Sequence, residues 1–246
     1  MKVSRKKIMT VEDLAPRLCA AHNVAPLPGQ RPCLAFRGLL DPEECAAINT
    51  TNTDAWIENQ NLRSGPDAVG ARSQFGTHDP DLSAKIWSRI RSHLPEHLDG
   101  GVALGLRAGW NHARYCPGQW VFAHMDQRQN SEENANDPTV GSRITITIYL
   151  DDTYEGAEFV FVKGVKLDGS YEEEHYRPAP GVGDAVLFYQ SVDEFAHAVL
   201  PLQSGTKTIM RSDVLYQFDT IKDADIGGER VVQLVPGSEE LRTPSL

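Results

Sequence analysis

The chain has 246 residues, of which 40% are hydrophobic and 24% are charged, and its formal net charge is −10 at neutral pH. This length can bury one sizeable core, and the acidic balance argues against a nucleic-acid partner, because non-specific nucleic-acid affinity needs clustered Lys and Arg. No apolar run approaches the roughly 18 residues needed to cross a bilayer, and the basic N-terminus lacks the apolar stretch of a signal peptide. We therefore expect a cytoplasmic protein without a membrane partner. Its four cysteines lack Cys-x-x-Cys spacing and are expected to be reduced.

The first hundred residues predict helices separated by a strand and a loop. A helix is expected within residues 1–30, and a strand over residues 32–40. Asp41 is a good N-cap and Pro42 suits the first helical position, so a second helix should run from here through Ile48. Residues 58–80 show little periodicity and predict a loop, which at this length is usually functional or mobile. A later amphipathic helix follows Asp79 and should bury Ile86, Ile90 and Leu94.

From about residue 102 the pattern changes to short strands. Residues 143–150 alternate strictly, with isoleucines on one side and Thr145, Thr147 and Tyr149 on the other. The polar side suits a pocket within a sheet, although a face that meets water is the default for an isolated strand. Further strands are predicted over residues 158–162, 185–189, 198–200 and 206–218.

The order of these elements predicts the architecture. Turns rich in Gly, Pro and Asp, without crossover helices, indicate an antiparallel sandwich or barrel. We expect a single domain, in which residues 1–101 form a supporting region and residues 102–218 form the β-rich catalytic core. Residues 219–246 are polar and should form a loosely packed tail. The oligomeric state is left open.

Three side chains in the β-rich part have the chemistry of a metal centre. His124 and Asp126 share parity, so they project from one face if residues 121–126 are extended. His197 follows a buried-looking strand and is the expected third ligand. Two imidazoles and one carboxylate can hold one face of Fe(II) and leave other positions open, an arrangement that suits iron better than catalytic zinc. A single histidine is more often a surface or core residue than a metal ligand. The prediction therefore depends on the three side chains occurring together.

Two cations on the last predicted strand, Lys207 and Arg211, are candidates for an anion site. They are four residues apart and therefore face the same way, with Cα atoms roughly 13 Å apart at about 3.3 Å per residue. One carboxylate is not expected to bind both. An inward-facing Lys207 needs an anionic partner, whereas on an exposed hairpin it is simply solvated.

Four segments together resemble the prolyl-4-hydroxylase-like branch of the Fe(II)/2-oxoglutarate dioxygenases. They are Arg114-Tyr-x-Pro-Gly-x5-His-x-Asp126, Ile146-Thr-Ile-Tyr-Leu-Asp-Asp152 with Glu155-Gly-Ala-Glu158, Gly183-Asp-Ala-Val-Leu-Phe188, and His197-x9-Lys207. Each piece is weak alone, and the resemblance covers about residues 105–218. It implies a mainly β fold with flanking helices. The core would be a double-stranded β-helix, a cupin-like jelly roll, with N-terminal helices packed on the major sheet.

The same resemblance implies roles for individual residues. His124, Asp126 and His197 match the iron ligands, and Lys207 matches the cation that binds the distal carboxylate of 2-oxoglutarate. The other residues expected at the cosubstrate are Tyr115, Tyr149, Thr145 and Arg211. Arg211 has no equally secure counterpart, so it is expected either to support the cosubstrate or to meet the substrate.

Two features depart from the family pattern. Gly156-Ala157-Glu158-Phe159 stands where Gly-Gly-Glu-Thr is usual, which would reshape the pocket rim. Residues 127–141 form a long loop rich in Asn and Glu. In this fold the loop would sit over the iron and help to define the substrate, or else be a surface insertion without a role.

The implied function is an oxygenase that uses Fe(II), 2-oxoglutarate and O2 and releases succinate and CO2. Its outcome would be hydroxylation of an unactivated C–H bond in an amino-acid, peptide or small-metabolite substrate, with desaturation or ring formation left open. Asp126 disfavours halogenation, because halogenating relatives lack this carboxylate. The alternatives are a cupin-like metal enzyme that does not use 2-oxoglutarate and a non-catalytic β-sandwich binding module. Candidate substrate contacts are Arg63, Arg72, Trp110 and Trp120, together with Arg211.

Overall fold

The computed structural model describes residues 24–26, 31–59, 72–128, 137–166, 168–221 and 224. The helix predicted within residues 1–30 and most of the tail predicted over 219–246 lie outside these residues. Within the described part of the chain, no helix is long and apolar enough to span a membrane.

Three α-helices flank the sheets in the described ranges. They are α1 (Pro42–Thr51), α2 (Thr53–Asn59) and α3 (Pro80–Ile90), with 3-10 turns at Arg91–His93 and Asp193–Phe195. α1 begins at a complete capping box: the Asp41 carboxylate accepts from the Glu44 backbone N–H, and the Glu44 carboxylate accepts from the Asp41 backbone N–H. Ile86 and Ile90 of α3 are fully buried. Both helices predicted in this region are therefore confirmed.

Fifteen strands occur in the described residues. They are β1 (Val24–Pro26), β2 (Cys33–Phe36), β3 (Ser73–His78), β4 (His97–Leu98), β5 (Gly101–Leu106), β6 (Gly109–Tyr115), β7 (Val121–His124), β8 (Val140–Tyr149), β9 (Tyr154–Gly156), β10 (Phe159–Lys163), β11 (Glu173–Tyr176), β12 (Ala185–Tyr189), β13 (His197–Val199), β14 (Leu202–Gly205) and β15 (Lys207–Gln217). The long predicted strands are confirmed, with ends displaced by one or a few residues.

Two antiparallel sheets form the core. The larger has the order β1-β2-β12-β8-β15-β5-β4, and β6 pairs with β15 and with β3. The smaller has the order β11-β10-β13-β7, and β14 pairs with β9 in a separate ribbon. The sheets pack face to face, since the rings of Phe161 in the smaller sheet and Phe188 in the larger have centroids 5.6 Å apart. The mainly β jelly-roll prediction is confirmed.

The structure differs from the sequence prediction at β3, and it shows whether the polar side of β8 meets water. Residues 58–80 were expected to be a loop, but they contain β3, which pairs in register with β6 along six residues. β3 holds Gly76 and several polar residues, so its local pattern is weak, and pairing with its neighbour stabilises it. The polar side of β8 is not turned to water. Thr145, Thr147 and Tyr149 are all buried, with exposed fractions of 0–4%.

A tight turn before β12 joins the N-terminal region to the core. Gly183 has φ +77°, its carbonyl accepts from the Leu40 N–H at 3.0 Å, and its own N–H donates to the Tyr149 carbonyl at 2.8 Å. The neighbouring Asp184 carboxylate accepts from the Gly38 N–H at 2.8 Å. Only glycine fits at position 183, because a Cβ there would lie 2.0 Å from the Leu40 carbonyl oxygen.

Replacing Gly183 by Ala is expected to lower the free energy of unfolding by about 2–4 kcal/mol, because the change adds strain at a positive φ and a steric clash. Urea unfolding followed by circular dichroism measures the loss. Gly105→Ala is the matched control, since an added Cβ at Gly105 meets no atom within 4 Å. Equal unfolding midpoints for the two variants would contradict this account of the turn.

Candidate active site

Pairing of β7 with β13 brings two histidines together in the smaller sheet. His124 lies directly opposite His197 in the antiparallel register, and their ring centroids are 4.3 Å apart. Asp126 follows just beyond the end of β7, and its Oδ1 is 3.7 Å from Nε2 of His124. One ligand atom from each of the three side chains lies within 4.8 Å of the others, and no other such group occurs among the described residues. The three predicted ligands therefore converge, and we call them the metal-ligand cluster.

Each histidine of the metal-ligand cluster keeps Nε2 free to bind a metal. Nδ1 of His124 is 2.9 Å from the Phe122 carbonyl oxygen, and Nδ1 of His197 is 3.0 Å from that of Phe195. A carbonyl only accepts, so Nδ1 carries the proton and Nε2 keeps its lone pair in the neutral ring. Burial and the nearby His197 lower the pKa of His124 to about 3, and burial also lowers the pKa of His197. Both rings are therefore neutral at pH 7, the form that a metal requires.

A buried chain of hydrogen bonds holds the Asp126 carboxylate. Thr145 Oγ1 donates to Asp126 Oδ2 at 2.9 Å, and Gln190 Nε2 donates to Thr145 Oγ1 at 3.0 Å. Ser142 in turn donates to Gln190 Oε1 at 2.6 Å. Burial alone would raise the pKa of Asp126, but the Arg211 charge and the hydrogen bond from Thr145 hold it well below its usual range. The carboxylate is therefore ionised and fixed in orientation.

Replacing Thr145 by Val keeps the side-chain shape and removes the hydroxyl that orients Asp126. Fe(II) affinity is expected to fall by about 10–100-fold, as for the loss of other groups that hold a metal ligand in place. Anaerobic calorimetric titration with Fe(II) measures the change. Thr77→Val is the control, because the Thr77 hydroxyl contacts His112, at 2.9 Å from its Nε2, and not the cluster. Wild-type affinity in the Thr145 variant would show that this hydrogen bond does not position the carboxylate.

Lys207 lies buried in a cage of three tyrosines. It is 1% exposed, and its Nζ is 5.6, 5.2 and 5.6 Å from the ring centroids of Tyr115, Tyr149 and Tyr154. Nζ donates to the Ala157 carbonyl at 2.5 Å. The cage follows from strand pairing, since Tyr115 of β6 is the register partner of Lys207 in β15. The alternative of a solvated surface lysine is therefore wrong.

The chemistry of this tyrosine cage fits a bound carboxylate. Burial lowers the pKa of Lys207 to about 7, although Asp151 and Glu158 act to raise it. The Tyr149 hydroxyl is buried and has no hydrogen-bond partner in the described part of the chain. An unpartnered buried hydroxyl is costly, and a carboxylate between it and Lys207 would satisfy both groups. The neighbouring donor set, two neutral imidazoles and one carboxylate, likewise fits Fe(II).

A pocket partly open to solvent lies against the metal-ligand cluster. Three further predicted residues, Arg72, Tyr115 and Arg211, line it. Arg211 forms an ion pair with Asp126, and Arg72 Nη1 donates to the Tyr115 hydroxyl at 3.2 Å. The two cations of β15 therefore have different surroundings. Arg211 meets the carboxylate of the cluster, and Lys207 stands in the tyrosine cage.

Of the other predicted substrate contacts, Trp110 and Trp120 do not line this pocket. Trp110 is 1% exposed, its indole N–H donates to Ser83 Oγ at 2.9 Å, and it is not among the residues lining the pocket. Its ring belongs to the core beside α3. Trp120 is half-buried before β7 and is not among the residues lining the pocket. Arg63 and most of the loop over 127–141 lie outside the described residues.

Six lining residues are absent from the predicted site: Asn111, Ala113, Thr147, Phe159, Val199 and Ile209. Thr147 shares the polar side of β8 with Thr145, so alternation signals it, but only Thr147 lines the pocket. Phe159 stands where the family pattern has Thr. Its ring stacks on that of His197, with centroids 4.8 Å apart and an interplanar angle of 24°. Asn111 carries no local signal beyond its place in a strand.

Comparison with known proteins agrees with this geometry. Residues 110–212 match the family model of the 2OG-Fe(II) oxygenase superfamily, whereas no curated protein matches the chain significantly. The chain is similar to a Pseudomonas putida prolyl-4-hydroxylase, with 15% identity, a TM-score of 0.52, and coverage of 86% of this chain and 98% of that one. It is also similar to a Trichoplax adhaerens prolyl hydroxylase in complex with a hypoxia inducible factor oxygen degradation domain peptide fragment, with 13% identity, a TM-score of 0.52, and coverage of 86% and 88%. A truncated viral collagen prolyl hydroxylase from Paramecium Bursaria Chlorella virus-1 has 20% identity, a TM-score of 0.50, and coverage of 81% and 98%.

The family match and the structural likenesses support different conclusions. At these identities the solved structures establish a shared fold and do not transfer a substrate. The family match spans the strands that carry the metal-ligand cluster and Lys207. It sets aside both the cupin-like enzyme without 2-oxoglutarate and the non-catalytic module. Residues 110–212 therefore carry a 2OG-Fe(II) oxygenase domain, and the protein is a dioxygenase that uses Fe(II), 2-oxoglutarate and O2.

Proposed function

We propose that this enzyme hydroxylates an unactivated C–H bond in an amino-acid, peptide or small-metabolite substrate. His124, Asp126 and His197 hold Fe(II), and Lys207 binds the distal carboxylate of 2-oxoglutarate. One observation carries the proposal. The metal-ligand cluster lines a pocket that shares Tyr115 with the cage of a buried lysine, and no described carboxylate forms a salt bridge with this lysine.

The side chains of this pocket bind and orient the metal and the cosubstrate, and they exclude water. When bound, Fe(II) and 2-oxoglutarate supply the oxidising chemistry, in which O2 is consumed and succinate and CO2 are released. The neutral imidazoles and the ionised Asp126 line the pocket, so a metal held by them faces the cavity. Lys207 and the Tyr149 hydroxyl orient the cosubstrate through its far end. Phe159, Val199 and Ile209 give the pocket apolar walls that limit water.

The proposed substrates include peptides because the similar Trichoplax enzyme is complexed with a peptide fragment. Proline is not carried over as the target, because a likeness of fold does not transfer a substrate. The carboxylate of Asp126 favours hydroxylation over halogenation, since it occupies the place that a halide would take.

Anaerobic titration of the protein with Fe(II) and then 2-oxoglutarate tests the proposal. A visible charge-transfer band is expected in the wild type, with succinate formed once O2 and a panel of substrates are added. His124→Ala should abolish the band, because it removes a metal ligand. His97→Ala should keep it, since His97 is exposed on β4. A wild-type protein with neither the band nor 2-oxoglutarate turnover would refute the proposal.

A further inference from the structure

Arg72 is a cation in the pocket that has no anionic partner among the described residues. Its Nη1 donates to the Tyr115 hydroxyl at 3.2 Å and its Nη2 to the Gln74 amide oxygen at 3.4 Å. Its Nε is buried without a hydrogen-bond partner. No carboxylate of the described residues forms a salt bridge with it, and its positive charge helps to lower the pKa of Lys207 and of both clustered histidines. The guanidinium is therefore available to an anion that enters the pocket.

The other two cations near the cluster are already matched to anions. Arg211 forms an ion pair with Asp126. In the proposed function, Lys207 takes the distal carboxylate of 2-oxoglutarate, and the other carboxylate would lie at the metal held by the metal-ligand cluster. This assignment accounts for every negative charge of the cosubstrate and leaves Arg72 without one.

The position of Arg72 suits a substrate better than the cosubstrate. Lys207 is 1% exposed, whereas Arg72 is half-buried and immediately precedes β3. β3 pairs only with β6 in the described sheet, so it lies at an edge and Arg72 enters the pocket from its rim. The cosubstrate belongs at the buried end, and the substrate must approach from the rim.

Asn111 provides a second hydrogen-bonding group in the same pocket. It lies on β6 between two register partners, Gly76 of β3 and Arg211 of β15. Its side chain lines the pocket and makes no hydrogen bond with any described residue. An amide both donates and accepts, so Asn111 can bind a carboxylate oxygen or a polar group beside it.

We propose that Arg72 binds a carboxylate of the substrate, with Asn111 as a further contact, so that the enzyme acts on small molecules that carry a carboxylate. The inference rests on the proposed function, which places both carboxylates of 2-oxoglutarate elsewhere. A guanidinium binds a carboxylate through two parallel N–H···O bonds, and such a pair would give the unpartnered Nε an acceptor. A singly charged carboxylate also matches a single unpaired cation.

Calorimetry on the anaerobic protein loaded with Fe(II) and 2-oxoglutarate tests the assignment. The probes are acetate, benzoate and the free L-amino acids, each paired with its primary amide. At least one acid is expected to bind tenfold or more tightly than its amide. Arg72→Gln should reduce this preference to less than twofold without weakening 2-oxoglutarate binding, and Arg72→Lys should retain part of the preference. Arg177→Gln, at an exposed arginine paired with Glu174, is the control and should match the wild type.

The outcomes separate the inference from the function on which it rests. A wild-type protein without a charge-transfer band would overturn both. A normal band with no acid bound, or with acids and amides bound equally, would overturn only the role of Arg72 in binding substrate. Weaker binding of 2-oxoglutarate by Arg72→Gln would also overturn it, because the guanidinium would then belong to the cosubstrate site.

Discussion

Replacing Lys207 by Met is expected to weaken 2-oxoglutarate binding by about 100-fold or more while making the ligand-free protein more stable. Lys207 is 1% exposed, and its only hydrogen bond in the described structure is to the Ala157 carbonyl. Without an anion, this buried ammonium is a cost to folding, and an apolar side chain of similar length removes it, raising the free energy of unfolding by about 1–4 kcal/mol. With the cosubstrate present, the same change removes one partner of a buried charge pair.

In the wild type, a rise in pH should likewise change the stability of the ligand-free protein and its affinity for the cosubstrate in opposite directions. Burial places the pKa of Lys207 at about 7 in the folded protein, below the ordinary lysine value of 10.5. Between these values the unfolded chain binds more protons, so the stability of the ligand-free protein should rise with pH across this window. Cosubstrate affinity should fall above pH 7, by up to about tenfold per pH unit, because a neutral amine does not pair with a carboxylate.

Urea unfolding and anaerobic 2-oxoglutarate titration, both at pH 6.5, 7.5 and 8.5, measure these changes in wild type and Lys207→Met. The variant should lose the rise in stability with pH. Lys163→Met, at an exposed position on β10, is the control and should behave as wild type. A Lys207 variant that is less stable and still binds 2-oxoglutarate normally would show that the lysine has a structural role only.

Replacing Asp126 by Ala is expected to abolish Fe(II) binding at micromolar concentrations and to lower succinate formation by at least about 1000-fold, equivalent to roughly 4 kcal/mol. The variant loses the only carboxylate of the metal-ligand cluster. It also leaves the Arg211 guanidinium without its ion-pair partner and the Thr145 hydroxyl without its acceptor. A further loss of stability, of about 1–3 kcal/mol, should accompany the loss of metal.

Asp126→Asn separates these two effects. The amide preserves the volume and can still accept from Thr145, so the protein should fold while its Fe(II) affinity falls. Asp184→Asn is the matched control: Asp184 is buried at the turn before β12, where it accepts from Gly38, and it does not line the pocket. Calorimetry with Fe(II) compares the three proteins. Wild-type metal affinity in Asp126→Asn would exclude this carboxylate as a ligand.

The metal-ligand cluster could be foreseen because its signals are local. The His-x-Asp spacing predicts that His124 and Asp126 project from one face if the chain is extended, and Asp126 lies just beyond the end of β7. The family spacing then points to His197 and Lys207, and all four lie where the fold brings β7, β13 and β15 together. The capping box of α1 and the amphipathic pattern of α3 are equally local, which is why both helices were predictable.

The sequence did not reveal which groups lie opposite a given residue. Alternation says that Trp110 points to one side of its strand, and only packing shows that this side is the core next to Ser83. The same pattern does not distinguish Thr145, which supports Asp126, from Thr147, which lines the pocket. β3 lacks a strong pattern of its own and exists through its pairing with β6.

By itself, the sequence determined the β-rich core, the two helices with clear caps, and the candidate residues for a metal and for an anion. The tertiary structure alone decided that three tyrosines surround Lys207, that Arg211 pairs with Asp126, and that Arg72 enters the pocket unpaired. The physical reason is that periodicity assigns a side chain to a face of its strand. The partner it meets there is set by register and sheet packing between segments far apart in the chain.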